Sequence, residues 1–140
     1  MLVGLSFAIL LLVALHVFAE EAYVCVADLQ TGFMLDKTEN EWRATKFQTN
    51  DKFVISKAKP QKDRFRPQGT RWEVKLMGEK VSQIWCTDDF NEFGNLVCRG
   101  LTGDFRMNKN NLRFLYFYDM GYWNDRTDTP FIQIGKCSAM

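Results

Sequence analysis

Histidine is nearly absent from this chain. The one histidine, His16, lies in the apolar N-terminal stretch, so the chain from Glu20 onwards has none. This absence excludes Ser-His-Asp and Cys-His catalysis, histidine-ligated zinc and a histidine pH switch from that part of the protein. Carboxylates, lysine and tyrosine remain available, but the commonest acid–base group is missing. We therefore expect a protein that is not an enzyme and that binds no cofactor.

Two further absences narrow the function. The chain has 18 basic and 17 acidic residues, so it lacks the basic excess that is typical of a nucleic-acid-binding protein. None of its 4 cysteines has the C-x-x-C spacing of metal knuckles and redox pairs. We therefore expect no nucleic acid partner and no metal site.

The N-terminal stretch MLVGLSFAILLLVALHVFA carries no charged side chain and ends in Val17-Phe18-Ala19. Small residues at the first and third positions before a break are accepted by signal peptidase, which predicts a signal peptide over residues 1–19. The alternative is an uncleaved membrane anchor, because about 18 apolar residues are just enough to cross a bilayer. In both cases residues 20–140 form one domain in an oxidising space, periplasmic or secreted, and membrane contact is expected only if cleavage fails.

Apolar and polar residues alternate from Ala22 onwards, which indicates β-strands. Trp72, Val74 and Leu76, for example, share one face of a strand whose other face is charged. The predicted strands are residues 22–28, 32–35, 41–47, 52–56, 70–76, 82–86, 95–99, 104–107, 112–118 and 131–137. Short polar turns between them predict an all-β fold, a small antiparallel meander that closes into a barrel of about eight strands. A two-sheet β-sandwich is the alternative.

The segment WCTDDFNEFGNLVC places Cys86 and Cys98 on the two arms of a predicted hairpin. Pairing of residue 86 with 98, 88 with 96 and 90 with 94 leaves a short loop before Gly94, where glycine can adopt a positive φ. Cys25 and Cys137 lie in the first and last strands, which are neighbours in a closed barrel. Cysteine counting alone leaves three pairings open, and the barrel favours Cys25–Cys137 with Cys86–Cys98.

A cationic loop interrupts the strand pattern at residues 57–71. Pro60 and Pro67 prevent regular strand pairing there. The local positive potential favours an anionic surface, such as lipid headgroups or a polysaccharide. The residues of this predicted patch are Lys57, Lys59, Lys62, Arg64 and Arg66. A solvated connector without a binding role is the alternative.

The segment DMGYWNDRTDTPF, residues 119–131, is the best candidate for a binding site. Large aromatic side chains beside Asn and Asp can bind a sugar or a peptide by stacking combined with hydrogen bonds. The expected binding residues are Tyr122, Trp123, Asn124 and Asp125. In the alternative interpretation, Trp123 plugs the end of the barrel and the polar residues stabilise local turns.

Three acidic residues, Asp88, Asp89 and Glu92, lie close together in the sequence. Paired carboxylates about 5 to 9 Å apart can hydrolyse a glycosidic bond. These residues belong to a predicted tight hairpin, however, which offers little cleft for a substrate. Solvated turn residues are therefore the better interpretation.

Four motifs follow one another along the chain: CVADLQTGF, WCTDDFNEFGNLVC, GDFRMNKNNLRFL and GYWNDRTDTPFIQIGKCS. With these motifs the sequence resembles a group of uncharacterised small secreted proteins of Proteobacteria, over nearly all of the chain after residue 19. The resemblance implies a Gram-negative periplasmic setting and implies no catalytic residues. In size, class and compartment the chain is also similar to the periplasmic lysozyme inhibitors, although their inhibitory loop motif is not recognisable in it.

Together these observations predict a non-enzymatic secreted or periplasmic β-barrel binding module, with a glycan, a small molecule or an envelope protein as its ligand. One alternative is an inhibitor or accessory protein of an envelope or secreted enzyme, whose cleft would receive the aromatic loop. A third hypothesis is a small hydrolase that uses carboxylates only.

Overall fold

The computed structural model describes residues 21–60, 64–101 and 103–140. The predicted signal peptide, residues 1–19, and Lys62 of the predicted cationic patch lie outside the described residues. Within them, no helix is long and apolar enough to cross a bilayer. The strands are β1 Ala22–Asp36, β2 Glu41–Phe47, β3 Lys52–Lys57, β4 Trp72–Leu76, β5 Ile84–Cys86, β6 Asn95–Gly100, β7 Gly103–Asn108, β8 Arg113–Tyr118 and β9 Phe131–Ala139. A single turn of 3-10 helix, Tyr122–Asn124, lies between β8 and β9.

The strands form an antiparallel closed barrel. β1 and the strands β3 to β9 follow one another around a ring, because β9 returns to pair with β1. β2 lies outside this ring, and in the described sheet it pairs with the second half of β1 alone, from Gln30 to Asp36. The predicted all-β barrel of about eight strands is therefore confirmed, and the sandwich alternative is wrong.

The barrel interior is filled by the inward-facing side chains of alternating positions. In β4, for example, two buried apolar residues alternate with partly exposed charged ones, as predicted. The ring of Phe53 contacts the rings of Phe105, Phe114 and Tyr116, with centroid distances of 5.3–5.6 Å. Full burial of one such side chain contributes roughly 1.5–3 kcal/mol. This aromatic cluster is therefore a large part of what stabilises the barrel.

Strand β1 is longer than predicted. The sequence indicates two strands, residues 22–28 and 32–35, whereas the structure has one strand of 15 residues. The register with β9 shifts between Ala27 and Leu29, so a β-bulge at Asp28 accounts for the interrupted alternation. Gly32 has the appearance of a strand boundary, but it lies within the strand. A Cβ there would lie 2.1 Å from the carbonyl oxygen of Pro130, so glycine permits a close approach of two backbones.

Two disulfides join neighbouring strands. Cys25–Cys137 joins β1 to β9 at the seam where the sheet closes, and Cys86–Cys98 joins β5 to β6. All four cysteines are buried in the barrel interior. These are the two pairs expected from the sequence. They fit an oxidising extracellular or periplasmic environment.

The hairpin between β5 and β6 has the predicted disulfide but differs from the prediction in its strand pairing. β5 ends at Cys86, so the expected pairs of residue 88 with 96 and 90 with 94 are replaced by a loop. Phe90 turns under the end of the barrel, where its ring centroid lies 5.2 Å from that of Trp72 and 5.8 Å from that of Tyr23. Gly94 does have the expected positive φ, 77°. Packing of the Phe90 ring against the core thus replaces the last predicted strand pairs.

The two disulfides should differ in their contribution to stability. Cys25–Cys137 spans a sequence separation of 112, whereas Cys86–Cys98 spans 12. By the loop-entropy model, replacing both residues of the longer pair with Ala lowers the free energy of unfolding by about 5 kcal/mol, against about 3 kcal/mol for the shorter pair. Guanidinium unfolding of the two double variants measures this difference. A larger loss in the Cys86→Ala/Cys98→Ala variant would contradict the entropic account.

Candidate functional site

The two binding regions predicted from the sequence lie at opposite ends of the barrel. The end that we call the basic end carries the loop 87–94 and the described residues, 58–60 and 64–71, of the loop between β3 and β4. The other end, which we call the aromatic end, carries the loops 77–83 and 119–130. Because neighbouring strands are antiparallel, successive loops alternate between these ends. The structure therefore separates the predicted cationic patch from the predicted aromatic site.

A β-hairpin projects beyond the aromatic end. The pairing of β1 with β9 stops at Gly32, while β1 continues to Asp36 in partnership with β2. Loop 119–130 lies against this hairpin, with the ring of Tyr122 edge-on to the ring of Trp42 and 5.6 Å between their centroids. The hairpin and the loop therefore form two walls above the outer surface of the barrel.

A groove of about 460 Å³ lies between these two walls. Its floor contains Phe117 of β8 and Ile132 of β9, which are directly paired in the sheet. Phe33 lines the hairpin side, and Tyr122 and Trp123 line the loop side. The lining is thus almost entirely apolar or aromatic.

Trp123 lines this groove and does not plug the barrel. Trp123 is 68% exposed, so the plug in the alternative interpretation is wrong, whereas its second part, polar residues that stabilise the local turn, agrees with the structure. The ring that packs under a barrel end is that of Phe90, and it does so at the basic end. An exposed indole beside a groove is free to contact a ligand.

Asn124 and Asp125, the polar members of the predicted site, shape the loop and are not part of the groove lining. The Oδ1 atom of Asn124 accepts a hydrogen bond from the N–H of Gly121, at 3.1 Å. Asp125 ends the helical turn in the left-handed conformation, with φ 56°. Gly121 has φ 111°, and a Cβ there would lie 2.0 Å from the carbonyl oxygen of Asp128, so the turn requires glycine. This turn chemistry presents Tyr122 and Trp123 to the groove.

Sequence reasoning misses the groove residues that lie outside the loop. Phe33, Phe117 and Ile132 belong to predicted strands, where apolar residues are normally read as core. Alternation is the one local signal that separates these residues from the core. Phe117, for example, follows the buried Tyr116 and must face outward. Their meeting beneath the loop depends on the register of β8, β9 and β1, which no local pattern contains.

Tyr118 lies at the edge of the groove, with its ring stacked on that of Phe131 at 5.7 Å. Burial of the phenol, followed by the negative charge of Asp128, raises its pKa above the usual 10.0. Both causes disfavour the phenolate. The hydroxyl is therefore neutral at physiological pH, and it donates a hydrogen bond to the carboxylate of Asp128.

The cationic loop at the basic end is partly bonded to itself. Nη1 of Arg66 donates a hydrogen bond to the carbonyl oxygen of Lys59, at 2.6 Å. The guanidinium of Arg64 lies 4.8 Å from the ring centroid of Phe65. Lys57, Lys59 and Arg64 are exposed. The loop thus presents positive charge to solvent, and binding of an anionic surface there stays a prediction.

The acidic residues of loop 87–94 have a structural role that the sequence does not reveal. Oδ1 of Asp89 accepts hydrogen bonds from Nε1–H of Trp72 at 2.9 Å and from the backbone N–H of Phe90 at 2.8 Å. These two bonds, the first with the larger effect, hold the pKa of Asp89 below its usual 3.8. A general acid in glycoside hydrolysis requires a raised pKa. Asp88 and Glu92 are exposed, and the geometry gives no support to the hydrolase hypothesis.

Comparison with known proteins does not assign this protein to a class, so the class is taken from the structure. No match is found among protein-family models, curated proteins or solved structures. In the described part of the chain, no three His, Cys, Asp or Glu side chains come together to hold a metal ion. The protein is a closed, disulfide-linked β-barrel with an apolar groove on its outer surface.

Removal of the Asp89 side chain should destabilise the fold at neutral pH. Asp89→Ala leaves Nε1–H of the buried Trp72 without its partner, which costs about 1–3 kcal/mol. Asp89→Asn keeps an acceptor and should cost less. Because the folded-state pKa lies below the unfolded value, the charge-dependent contribution is complete above about pH 4 and is lost as the pH falls through the folded pKa.

Denaturant unfolding of wild type, Asp89→Ala and Asp89→Asn between pH 6 and pH 2 measures these effects. The difference in the free energy of unfolding between wild type and Asp89→Asn should become smaller at the acidic end of this range. A difference that stayed constant down to pH 2 would mean that the carboxylate charge contributes nothing to stability.

Proposed function

We propose that the protein is a non-enzymatic binding module and that the groove at the aromatic end binds a small apolar molecule. The observation that carries this proposal is the set of aromatic side chains left exposed around the groove, with Tyr122 67% and Trp123 68% exposed. Contact of apolar surface with water costs roughly 25 cal/mol per Å². Exposed apolar patches of this kind in folded proteins are typical of interaction sites. A ligand that covers these rings removes that cost.

The size and charge of the groove limit the ligand. Its volume of about 460 Å³ lies within the range of roughly 300–1,000 Å³ that is usual for small-molecule sites. Among the described lining residues, the only charged side chain is that of Asp119. An anion would meet this carboxylate without a compensating cation. The groove therefore favours a neutral molecule with a flat or aliphatic apolar body.

A glycan is a less suitable ligand for this groove. Sugars require polar partners beside the aromatic ring on which they stack. Asn124, the residue placed best for that role in the sequence, uses its Oδ1 atom to hold the turn at Gly121. The stacking surface of Trp123 thus lacks the adjacent amide that the sequence predicts for it.

Two observations support a role without catalysis. The chain from Glu20 onwards contains no histidine, which removes the commonest acid–base group. The best carboxylate candidate, Asp89, is held in its ionised form by bonds to Trp72 and Phe90. The bonds of Asp89 thus stabilise the fold.

We also propose that the protein acts in the periplasm of a Gram-negative bacterium or outside the cell. Two disulfides and an apolar N-terminal stretch support this location. Intact-mass spectrometry of protein exported from cells should find a chain that begins at Glu20. A mass that retains residues 1–19 would instead indicate a membrane-anchored protein.

Binding of N-phenyl-1-naphthylamine, a neutral apolar fluorescent probe, tests the groove. We expect its emission to rise on addition of wild-type protein. Trp123→Ala should weaken binding by about tenfold or more, because the variant removes one large apolar contact surface. Phe93→Ala is the matched control, since Phe93 is 66% exposed but lies in loop 87–94 at the opposite end.

Two results of this experiment would overturn the proposal. One is the absence of probe binding to the wild-type protein. The other is equal binding by Trp123→Ala and Phe93→Ala, which would mean that the probe binds exposed aromatic residues without regard to the groove.

The second candidate function is an inhibitor or accessory protein of an envelope or secreted enzyme. The projecting hairpin and the exposed Trp123 favour it, because together they form a surface that can enter a partner's cleft. The same variants separate the two functions. An enzyme retained from an envelope extract by wild type and Phe93→Ala but not by Trp123→Ala, together with no probe binding, would replace the small-molecule function with this one.

A further inference from the structure

A second cavity opens at the mouth of the barrel, on the aromatic end but inside the ring of strands. Its volume is about 310 Å³. Apolar and aromatic side chains form its walls, and two carboxylates, those of Asp51 and Glu79, belong to its lining. The aromatic residues of the lining are Phe53, Tyr116 and Phe131. Small barrels have room at this position for one small ligand.

A buried amide lies next to this cavity. Gln133 of β9 is 0% exposed. Its Nε2 atom donates to Oε1 of Gln30 at 2.9 Å, to Oγ1 of Thr49 at 3.0 Å and to Oδ2 of Asp51 at 2.5 Å. Its own Oε1 atom is buried and has no hydrogen-bond partner in the described structure. A buried acceptor without a donor is rare in folded proteins and calls for a physical explanation.

The NH₂ group of Gln133 has more oxygen neighbours than it has hydrogens. An amide NH₂ group has two hydrogens, and here three oxygen atoms surround it. Exchanging the oxygen and nitrogen of Gln133 does not solve the problem, because its oxygen would then face the carboxylate of Asp51. The carboxylate of Asp51 therefore fixes the orientation of this amide, and Oε1 of Gln133 is left without a donor.

The cavity and the hydrogen-bonded cluster around Gln133 are adjacent. Asp51 belongs to both, as a lining residue and as a partner of Gln133. Tyr116, another lining residue, is paired directly with Gln133 across the β8–β9 ladder. Phe131 lies two residues before Gln133 in the same strand and also lines the cavity. A ligand in the mouth would thus rest against the neighbours of the unpaired acceptor.

From this arrangement we infer that the barrel mouth is a binding site for a small organic cation, an ammonium or guanidinium group attached to an apolar body. Such a head group carries only donors, and Oε1 of Gln133 beside the cavity lacks one. Asp51 and Glu79 supply opposite charge. The rings of Phe53, Tyr116 and Phe131 supply apolar contact and faces that attract a cation.

This site is separate from the groove of the proposed function. The groove lies on the outer surface of the barrel and has an almost wholly apolar lining, whereas the mouth lies inside and has two carboxylates. Phe131 is the one residue that lines both. Trp123 lines the groove alone, so its substitution distinguishes the two sites.

Titration of the isotope-labelled full-length protein with phenethylammonium, followed by amide NMR, tests the inference. Its neutral counterpart is 2-phenylethanol, which has nearly the same shape and no charge. We expect phenethylammonium to shift the amide signals of residues 51–53, 116 and 131–133. The alcohol should bind about tenfold more weakly or worse, because it lacks the charge and two of the donors.

Two variants assign the effect to the carboxylates. Asp51→Asn and Glu79→Gln should each weaken phenethylammonium binding by about tenfold. Glu79 is exposed and can be replaced without disturbing the buried cluster, so it decides the question if Asp51→Asn fails to fold. Glu92→Gln at the basic end and Trp123→Ala at the groove should leave the affinity unchanged.

Three outcomes would overturn the inference. The first is equal affinity for the amine and the alcohol. The second is a set of shifted signals that excludes the residues around the mouth. The third is unchanged affinity in Glu79→Gln, which would mean that the mouth does not recognise positive charge.

Discussion

The seam between β1 and β9 is the contact on which the rest of the structure depends. β1 pairs with β9 along one edge and with β3 and β2 along the other, so it joins the last strand of the chain to the two strands that follow β1. The Cys25–Cys137 disulfide crosses this seam in register. Closure removes two sheet edges and completes the cavity in which the aromatic core packs. If the seam opened, the core cluster, the groove and the cavity at the barrel mouth would be lost together.

A mismatch in strand length at this seam generates the groove. β1 has 15 residues and β9 has 9, so β1 extends past its partner and carries β2 outside the barrel. Loop 119–130 leaves β8 at the same end and leans on this extension through the Tyr122–Trp42 ring contact. The outer face of the sheet is thereby enclosed on two sides. The groove thus arises from the architecture of the barrel end and needs no dedicated pocket inside the core.

The two barrel ends differ in their packing. At the basic end the ring of Phe90 packs on Trp72 and Tyr23, and Asp89 bonds to the indole of Trp72. At the aromatic end the ring of Phe131 packs on those of Tyr116 and Tyr118, and a cavity remains beside it. The mostly apolar outer groove and the acidic inner mouth lie close together at this end. Both proposed sites therefore belong to one end of the barrel.

The sequence by itself predicted most of the strands, the closed barrel and, given the barrel, the cysteine pairs, because alternation and spacing are properties of neighbouring residues along the chain. It also indicated Tyr122 and Trp123, which local turn chemistry presents. It did not indicate that β1 is continuous, that Phe90 caps the core, or that Phe33 and Ile132 meet those aromatics. These features depend on how far one strand extends past its neighbour and on which outer face of the barrel a distant loop covers. Only the tertiary structure decides such relations, because they depend on the register and packing of strands and loops that are separated in the sequence, which the local pattern of side chains does not contain.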